Sequence, residues 1–432
     1  MTRSPGIQSR RAALKILTQV REGKPFDAAL DRVAGGLSSS DRRLTHELAA
    51  GVLRHRSLLD QQLAPLVPRD WSLVDPVLQD ILRVGAYQLT RLERVPAHAA
   101  VDTSVALARR LRGTRAAGFV NAVLRRLNQT APERTKPDGD VPALAVEYSH
   151  PDWLVERWLN RFGREQTEAL LRWNNTPPPL VAQPAREGLE RVNEEWRAAG
   201  VETVVAPYGA GIMPNLTRPA ELPGYREGHF IIQDPAQALL ARFVDPPAGA
   251  VLYDACAAPG GKAIALGRTS RVVAGEINRH RARRLSENLA RAGSGREHVV
   301  VADARQPPIR TADVVLLDAP CTGTGTYARH PDARWRVSPD ALARITELQR
   351  ELLAGAVELV PPGGLLVYST CSLEPEENEM QTERFLEQHP DFHREPGPVA
   401  ALPLLSANGD LSILPQLHGI DGAYAARLRR NG

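Results

Sequence analysis

Cysteine is scarce in this chain, aromatic residues are few, and long apolar runs are missing. The 432 residues include only three cysteines, Cys256, Cys321 and Cys371, and no Cys-x-x-Cys pair, which argues against a disulfide framework and against a structural zinc site. No apolar run approaches the roughly 20 residues that span a bilayer, and the N-terminus lacks the apolar stretch of a signal peptide. We therefore expect a cytoplasmic protein that binds no metal and no membrane.

The length and the charge balance narrow the class of protein further. Aromatic residues make up 5% of the chain and hydrophobic residues 43%, so we expect folded domains with cores of mostly Ala, Leu and Val. A chain of 432 residues exceeds the usual size of one hydrophobic core and predicts two or three domains. The formal net charge is +4 and most basic residues are Arg, which is compatible with nucleic acid binding but also with a compositional bias.

Hydrophobic periodicity divides the chain into a helical part and an α/β part. Residues 1–129 contain three apolar segments with helical spacing and predict a helical bundle. Residues 130–148 are interpreted as a linker because their first half is rich in proline and charge, and residues 149–229 as a small α+β subdomain. The repeating apolar positions are Ala13, Ile16, Leu17 and Val20, then Leu78, Ile81, Leu82, Gly85 and Leu89, and then Val120, Val123, Leu124 and Leu127.

Residues 230–432 are predicted to form an α/β domain with a parallel sheet. From Gly249 onward, short apolar runs alternate with helical stretches, the pattern of strands joined by crossover helices. One helix is predicted around Ala282, Leu285 and Leu289, and another over about 342–360. The predicted strands are Val251–Tyr253, Val272–Ala274, Val299–Ala302, Val314–Leu317 and Leu365–Tyr368.

Reactive or charged side chains follow each of the five predicted strands. Asp254, Glu276, Asp303 and Asp318 follow the first four strands, and Cys371 follows the fifth. A single acidic residue in such a position is often a helix cap or part of a solvated turn. Because ligands bind at the carboxyl ends of parallel strands, five such residues in series indicate one binding site.

The first of these strand ends carries a glycine-rich loop, DACAAPGGK, over 254–262. The loop lacks the dinucleotide fingerprint G-x-G-x-x-G, and Ala263 after Lys262 breaks the P-loop pattern. A nucleoside without phosphates is therefore the favoured ligand. Glu276 is suited to accept hydrogen bonds from both ribose hydroxyls, and Asp303 from an adenine amine.

Two cysteines lie in polar loops at the end of the fourth and fifth strands. Cys321 belongs to the segment DAPCTGTG and Cys371 to STCS. A lone buried cysteine usually acts as a small hydrophobe, but two cysteines among Gly, Thr and Asp favour reactive thiols. The residues themselves leave the roles of the two thiols open.

These motifs together resemble a known enzyme family. DACAAPGGK, DAPCTGTG and STCSLEPEEN resemble the cofactor and catalytic motifs of the Nol/Nop/Sun RNA cytosine-5 methyltransferases, and QDPA at 233–236 and RHPD at 329–332 also match. VPAHAAVDTSVALARRL and GFVNAVLRRL resemble a NusB-type RNA-binding domain. The combination is similar to the Sun/Fmu branch of bacterial 16S rRNA methyltransferases.

The resemblance implies a NusB-like domain at 1–129, RNA binding by the 149–229 subdomain, and a Rossmann-like methyltransferase domain at 230–432. It implies S-adenosylmethionine as the cofactor, and RNA as the partner of a monomer, either 16S rRNA or an assembling small ribosomal subunit. By the same resemblance the loop at 256–262 holds the cofactor's methionine end, Glu276 its ribose and Asp303 its adenine. The implied loop residues are Cys256, Ala257, Ala258, Pro259, Gly260, Gly261 and Lys262.

The resemblance also assigns catalytic roles. It implies that Cys371 is the nucleophile, that Cys321 assists product release, and that Asp318 and Lys262 act beside the cofactor and the target cytosine. Phosphate contacts are expected from exposed arginines of the helical part, although a solvated helix face would have the same composition. These arginines are Arg109, Arg110, Arg112, Arg115, Arg125 and Arg126.

Three positions depart from the family pattern. Ala263 stands where Thr is usual, Gln237 where Ser is common, and Ala423-Tyr424 where Phe-Phe is usual.

Two other functions stay open. One alternative is a non-catalytic RNA-binding assembly factor with a degenerate methyltransferase fold. The other is an amino-methyltransferase acting on adenine, which typically carries Asn/Asp-Pro-Pro-aromatic after the fourth strand, where this chain has Asp-Ala-Pro-Cys.

Overall fold

The protein is described by a computed structural model that covers residues 6–130, 139–215, 218–398 and 404–432. The chain divides into two compact units. The first comprises the described residues of Met1–Pro177 and Tyr327–Arg336, and the second those of Pro178–Thr326 and Val337–Gly432. Within the described ranges, no helix is long and apolar enough to cross a membrane, and no group of three or more His, Cys, Asp or Glu is placed to hold a metal ion.

The first unit is helical, as predicted for residues 1–129. The predicted apolar faces are buried in one core, for example Ile16, Leu82 and Leu124. The helices are α1 (Ile7–Arg21), α2 (Phe26–Ala34), α3 (Ser39–Arg54), α4 (Arg56–Leu63), α5 (Pro76–Arg91), α6 (Ala97–Arg112), α7 (Thr114–Gln129), α8 (Asp140–Glu147) and α9 (Asp152–Asn175).

One local feature of this unit differs from the expectations drawn from sequence. The span interpreted as a linker, 130–148, contains helix α8, whereas its residues 131–138 lie outside the described ranges. Helix α9 consists of two helical segments joined across a kink at Gly163, which has a φ of 72°.

A short segment from the C-terminal half of the sequence completes the core of the first unit. Arg334 is fully buried, and its guanidinium donates to the backbone oxygens of Ser149 at 3.3 Å and Asn174 at 2.8 Å. Trp335 packs on the helical core and donates through Nε1 to the oxygen of Leu53 at 2.9 Å. Residues 327–336 are therefore a structural part of this unit, although they follow the Cys321 segment in sequence.

The second unit begins with a small antiparallel sheet and one helix. The sheet has the order β2-β3-β1-β4, and its core contains Trp196 and Phe230, whose rings lie edge to face at 4.9 Å. This module extends past the predicted boundary at residue 229, and α9, which was assigned to it, belongs to the first unit. Its elements are β1 (Ala182–Pro184), α10 (Leu189–Ala198), β2 (Thr203–Val205), β3 (Ile212–Pro214) and β4 (Phe230–Ile232).

The rest of the second unit is built on one large sheet with the order β10-β12-β9-β8-β5-β6-β7, with β11 paired to β12. Strands β5 to β9 are parallel, and β10, β11 and β12 pair antiparallel. The elements are α11 (Pro235–Val244), β5 (Val251–Asp254), α12 (Gly261–Gly267), β6 (Arg271–Gly275), α13 (Arg279–Ala292), β7 (Glu297–Val300), β8 (Val314–Asp318), α14 (Pro339–Val357), β9 (Leu365–Thr370), α15 (Glu379–Gln388), β10 (Phe392–Glu395), β11 (Leu411–Ile413), α16 (Pro415–His418) and β12 (Ala423–Arg430).

The predicted α/β class is confirmed, and the parallel strands bring their polar ends to one edge of the sheet. Strands β8 and β9 are neighbours, and Asp318 pairs in register with Ser369. Strand β7 ends at Val300, two residues before the predicted end at Ala302, so Asp303 lies in the loop beyond the strand. The carboxyl edge therefore carries the candidate residues in the spatial order Cys371, Asp318, Asp254, Glu276 and Asp303, with Asp303 farther from its strand.

Candidate active site

The two cysteines meet at the carboxyl ends of β8 and β9. The Sγ atoms of Cys321 and Cys371 lie 3.2 Å apart, and both residues are half-buried. The hydrogen bond to Cys371, together with burial, raises the pKa of Cys321 well above its ordinary value. Cys321 therefore holds its proton, and its thiol lies within hydrogen-bond distance of the Cys371 sulfur.

A buried lysine links the glycine loop to the end of β8. Lys262 Nζ lies 2.6 Å from Asp318 Oδ2 and donates to Gln237 Oε1 at 2.6 Å, while Ser369 Oγ donates to Asp318 Oδ1 at 3.0 Å. Burial by itself would lower the pKa of Lys262, but the charges of Asp318, Asp254 and Cys371 outweigh it, so the pKa is raised. A charged ammonium therefore lies among two carboxylates and a thiol.

Asp254 ends β5 and is completely buried. Neither of its carboxylate oxygens has a hydrogen-bond partner of ordinary geometry among the described side chains. Burial raises the pKa of Asp254 to about 7, even though the charge of Lys262 lowers it. This carboxyl group is therefore poised between its neutral and charged forms near neutral pH.

Two glycines of the loop allow neighbouring side chains to pack closely against its backbone. A Cβ on Gly261 would lie 2.7 Å from Gln233 Nε2. Gly260 has a φ of 108°, and a Cβ added there would lie too close to the side chain of Leu285.

The thiol of Cys256, in the same loop, has a strongly shifted pKa. Burial and the charge of Asp254 raise the pKa of Cys256 to about 12. Cys256 therefore stays a neutral thiol, unlike a nucleophile.

Arginines hold the acidic residues at the other end of the carboxyl edge. Glu276 is 3% exposed; its Oε1 accepts from Asn278 N at 2.8 Å, and its Oε2 lies 3.4 Å from Arg281 Nε. Asp303 Oδ2 lies 2.7 Å from the guanidinium of Arg305, and these hydrogen bonds lower the pKa of Asp303. Each of these two carboxylates therefore lies beside an arginine that is about half exposed.

A buried network that the sequence analysis did not predict lies beneath the two cysteines. Glu377 is completely buried; its Oε1 accepts from Thr322 N at 2.8 Å and from Gln349 Nε2 at 3.1 Å. Its Oε2 accepts from the hydroxyls of Thr322 and Ser372. The segment Pro-Glu-Glu-Asn marks these positions in the sequence, but only the fold shows which of the two glutamates turns inward.

Two departures from the family pattern have local structural explanations. Gln237 provides an oxygen for Lys262 Nζ. The hydroxyl of Tyr424 donates to Asp410 Oδ2 at 2.8 Å and lies 3.0 Å from Thr382 Oγ1. Ala263 is fully buried, and nothing in the structure explains its replacement of Thr.

Comparisons with known proteins identify the family. Residues 241–429 match the family described as 16S rRNA methyltransferase RsmB/F, residues 7–129 the NusB family, and residues 150–209 the ferredoxin-like domain of RsmF/B-like methyltransferases. The probable ribosomal RNA small subunit methyltransferase B of Synechocystis sp. is 35% identical over 98% of this chain and 100% of its own length. The chain belongs to the RsmB/F family of 16S rRNA methyltransferases.

Another relative and two solved structures are also similar to this chain. The ribosomal RNA small subunit methyltransferase B of Vibrio cholerae is 35% identical over 98% of this chain and 97% of its own. The crystal structure of PH0851 superposes with a TM-score of 0.83 at 27% identity, covering 99% of this chain and 100% of that one. NSun6 from Pyrococcus horikoshii, solved with SFG, shares the fold with a TM-score of 0.59 at 20% identity over 65% of this chain and 98% of that one. Membership in this family implies an S-adenosylmethionine-dependent methyltransferase with a NusB-like N-terminal domain.

Proposed function

We propose that this protein methylates carbon 5 of a cytosine in 16S rRNA through a covalent bond between Cys371 and the base. The observation that carries the proposal is the 3.2 Å separation of the Cys321 and Cys371 sulfurs beside the ion pair of Lys262 and Asp318. Carbon 5 of cytosine is a poor nucleophile until carbon 6 is attacked. A reactive thiol next to acidic and basic groups supplies that activation.

In the first half of the reaction, the Cys371 thiolate forms a bond to carbon 6. The ring loses its aromaticity, and negative charge develops at ring nitrogen 3. We assign Asp318 to a hydrogen bond with that nitrogen, which stabilises the charge. To donate there Asp318 needs a proton, and the ammonium of Lys262, 2.6 Å from its carboxylate, is the nearest source.

In the second half, carbon 5 must lose its proton so that the bond between Cys371 and carbon 6 can break. Cys321 accepts that proton directly or through water. In the free protein, the hydrogen bond to Cys371, burial and the charge of Cys371 all raise the pKa of Cys321. The two causes that involve Cys371 vanish once its sulfur is bound to carbon as a neutral thioether, so Cys321 is easier to deprotonate at the step that needs a base.

The cofactor site is proposed around the glycine loop and the ends of β6 and β7. When bound, S-adenosylmethionine supplies an electrophilic methyl group. Glu276 would accept from the ribose hydroxyls and Asp303 from the adenine amine, while 256–262 would border the methionine end. The exposed apolar side chains of Ile277 and Val301, 60% and 52% exposed, are suited to cover the faces of an adenine ring.

The RNA-binding surface is proposed on the ends of α6 and α7. The six arginines expected to contact phosphates are exposed: Arg109, Arg110, Arg112, Arg115, Arg125 and Arg126. Deleting residues 1–129 would also remove the partners of Trp335, so point substitutions are the cleaner test. The double variant Arg109→Ala/Arg110→Ala should weaken 16S rRNA binding and reduce the slope of log affinity against log salt by roughly 0.7–0.9 per lost phosphate contact.

Product analysis separates this proposal from the two alternatives. Purified protein is incubated with in vitro transcribed 16S rRNA and S-adenosylmethionine carrying a labelled methyl group, and the digested nucleosides are analysed by mass spectrometry. The proposal predicts 5-methylcytidine with the wild type and none with Cys371→Ala. Methyladenosine would support an amino-methyltransferase, and binding without any methylation of naked rRNA or of isolated small subunits would support an assembly factor.

A further inference from the structure

Glu377 binds the residue that follows each of the two reactive cysteines. Thr322, directly after Cys321, donates to Glu377 through both its backbone N–H and its hydroxyl. Ser372, directly after Cys371, donates its hydroxyl to the same carboxylate. One buried side chain therefore connects the two loops at the positions next to their sulfur atoms.

The backbone alone does not provide this connection. Beyond the paired ends of β8 and β9, Ala319 N donates to Ser369 O at 2.8 Å on one side of the thiols, and Gly325 N to Cys371 O at 3.0 Å on the other. The intervening residues 320–323 are joined to the Cys371 loop by side chains, with Glu377 as the common acceptor.

A second side chain supports the same carboxylate from behind. Gln349 donates through Nε2 to Glu377 Oε1 at 3.1 Å and to the backbone oxygen of Pro320, just before Cys321, at 2.9 Å. Tyr368 donates its hydroxyl to the backbone oxygen of Glu377 at 2.6 Å. Gln349, Tyr368 and Glu377 are all fully buried, and buried hydrogen bonds of this kind favour one fixed geometry.

We propose that Glu377 is a positioning residue that keeps Cys321 and Cys371 in register for release of the methylated base. The inference rests on the proposed function. The attack on carbon 6 needs one sulfur correctly placed, whereas release needs both sulfurs on the same base at once. Loss of the Glu377 network should therefore impair release more than attack.

The test compares Glu377→Ala with the isosteric Glu377→Gln and with Glu387→Ala, which removes an exposed glutamate of α15. In Glu377→Gln the amide oxygen can still accept the hydrogen bonds that Oε1 accepts from Thr322 N and Gln349 Nε2. The amide nitrogen can donate to the hydroxyls of Thr322 and Ser372 once these hydroxyls rotate. Each full-length protein is incubated with 16S rRNA and S-adenosylmethionine. Turnover is measured as labelled methyl transferred, and the covalent adduct as protein–RNA complex that survives denaturing electrophoresis.

We expect Glu377→Ala to lose about 100-fold in turnover, because a misplaced reacting group costs roughly this much, and to accumulate adduct that the wild type does not retain. Glu377→Gln should keep most of its turnover, and Glu387→Ala should match the wild type. Equal losses of adduct and of product in Glu377→Ala, or full activity, would overturn the inference. If Glu377→Ala does not fold, Thr322→Val, which removes one hydroxyl donor, should show the same shift toward adduct at a smaller amplitude, and its absence would overturn the inference equally.

The outcome for the proposed function is read from separate variants in the same experiment. Cys321→Ala must accumulate adduct and Cys371→Ala must form none if the proposed function holds. If these two variants behave as stated and Glu377→Ala does not shift the balance toward adduct, only the role of Glu377 fails. If Cys321→Ala gives no adduct, the proposed function fails independently of Glu377.

Discussion

The two ends of the carboxyl edge hold their charged groups in different ways. At the thiol end, around Cys321, Cys371 and Glu377, the carboxylate is fully buried and bound by donors from the two cysteine loops. At the arginine-held end, Glu276 and Asp303 pair with arginines that are about half exposed. A buried, saturated network fixes geometry, whereas an exposed ion pair is weak and exchangeable. We infer that the first end sets the chemistry and the second accepts an exchangeable ligand.

Apart from the two cysteines, the largest expected effect is at Lys262, which lies between the two ends. Replacing it by Met leaves Asp318 and Asp254 without the cation that offsets their charge. We expect turnover to fall by about 100- to 1,000-fold, the usual cost of removing one preorganised donor from an active site. Single-turnover methyl transfer measures this, with thermal unfolding as the control for folding. A loss of only a few-fold would contradict an active role for Lys262.

A smaller and different effect is expected at Glu276. Glu276→Gln weakens the charged acceptor proposed for the ribose hydroxyls, and a hydrogen bond to a charged group contributes about 1.5–3 kcal/mol. The KM for S-adenosylmethionine should therefore rise by about 10- to 100-fold, with kcat little changed. Initial rates over a range of cofactor concentrations separate the two constants. A fall in kcat at unchanged KM would remove the distinction between the two ends.

Asp303 should show the weakest effect on activity, because Arg305 already occupies its oxygens. Asp303→Asn is expected to raise the KM for S-adenosylmethionine by about 5-fold or less, since an exposed polar contact contributes about 1 kcal/mol at most. Arg305→Ala, which frees the carboxylate, is the matched variant and should not raise the KM. An increase in KM on removal of Arg305 would mean that the arginine, not the aspartate, contacts the ligand.

Asp254 provides a test through stability rather than activity. Its folded-state pKa of about 7 lies above the ordinary aspartate value of about 4, so the folded protein binds this proton more tightly than the unfolded chain. The contribution of Asp254 to the stability of the wild type should therefore fall as pH rises from about 4 to about 7. Asp254→Asn removes this titration, so its melting temperature relative to wild type should increase over that range. A constant difference in melting temperature would contradict the raised pKa.

Much of the α/β edge could be predicted because strand ends are encoded locally. Five apolar runs and the residue after each run were enough to predict that Asp254, Asp318 and Cys371 share one edge, since parallel strands place their carboxyl ends together. The predicted end of the third strand at Ala302 lies two residues beyond Val300, where β7 ends, although Ala302 N still donates to Glu276 O at 3.3 Å.

Contacts between distant segments were not predictable from patterns. Arg334 and Trp335 belong to the core of the first unit, but the segments that flank residues 327–336 on both sides belong to the second unit. Glu377 was visible only as one of two adjacent glutamates, because the donors that select it come from Thr322, Gln349 and Ser372. Such a network depends on two loops meeting helix α14, and no periodicity or local motif encodes that meeting.

The division of roles between the two sulfur atoms is tested most directly by denaturing electrophoresis of enzyme incubated with 16S rRNA and S-adenosylmethionine. Cys321→Ala should accumulate a protein–RNA complex that survives denaturation, because its base remains bound to Cys371. Cys371→Ala should form no such complex. A stable complex with Cys371→Ala and none with Cys321→Ala would reverse the assignment of nucleophile and releasing group.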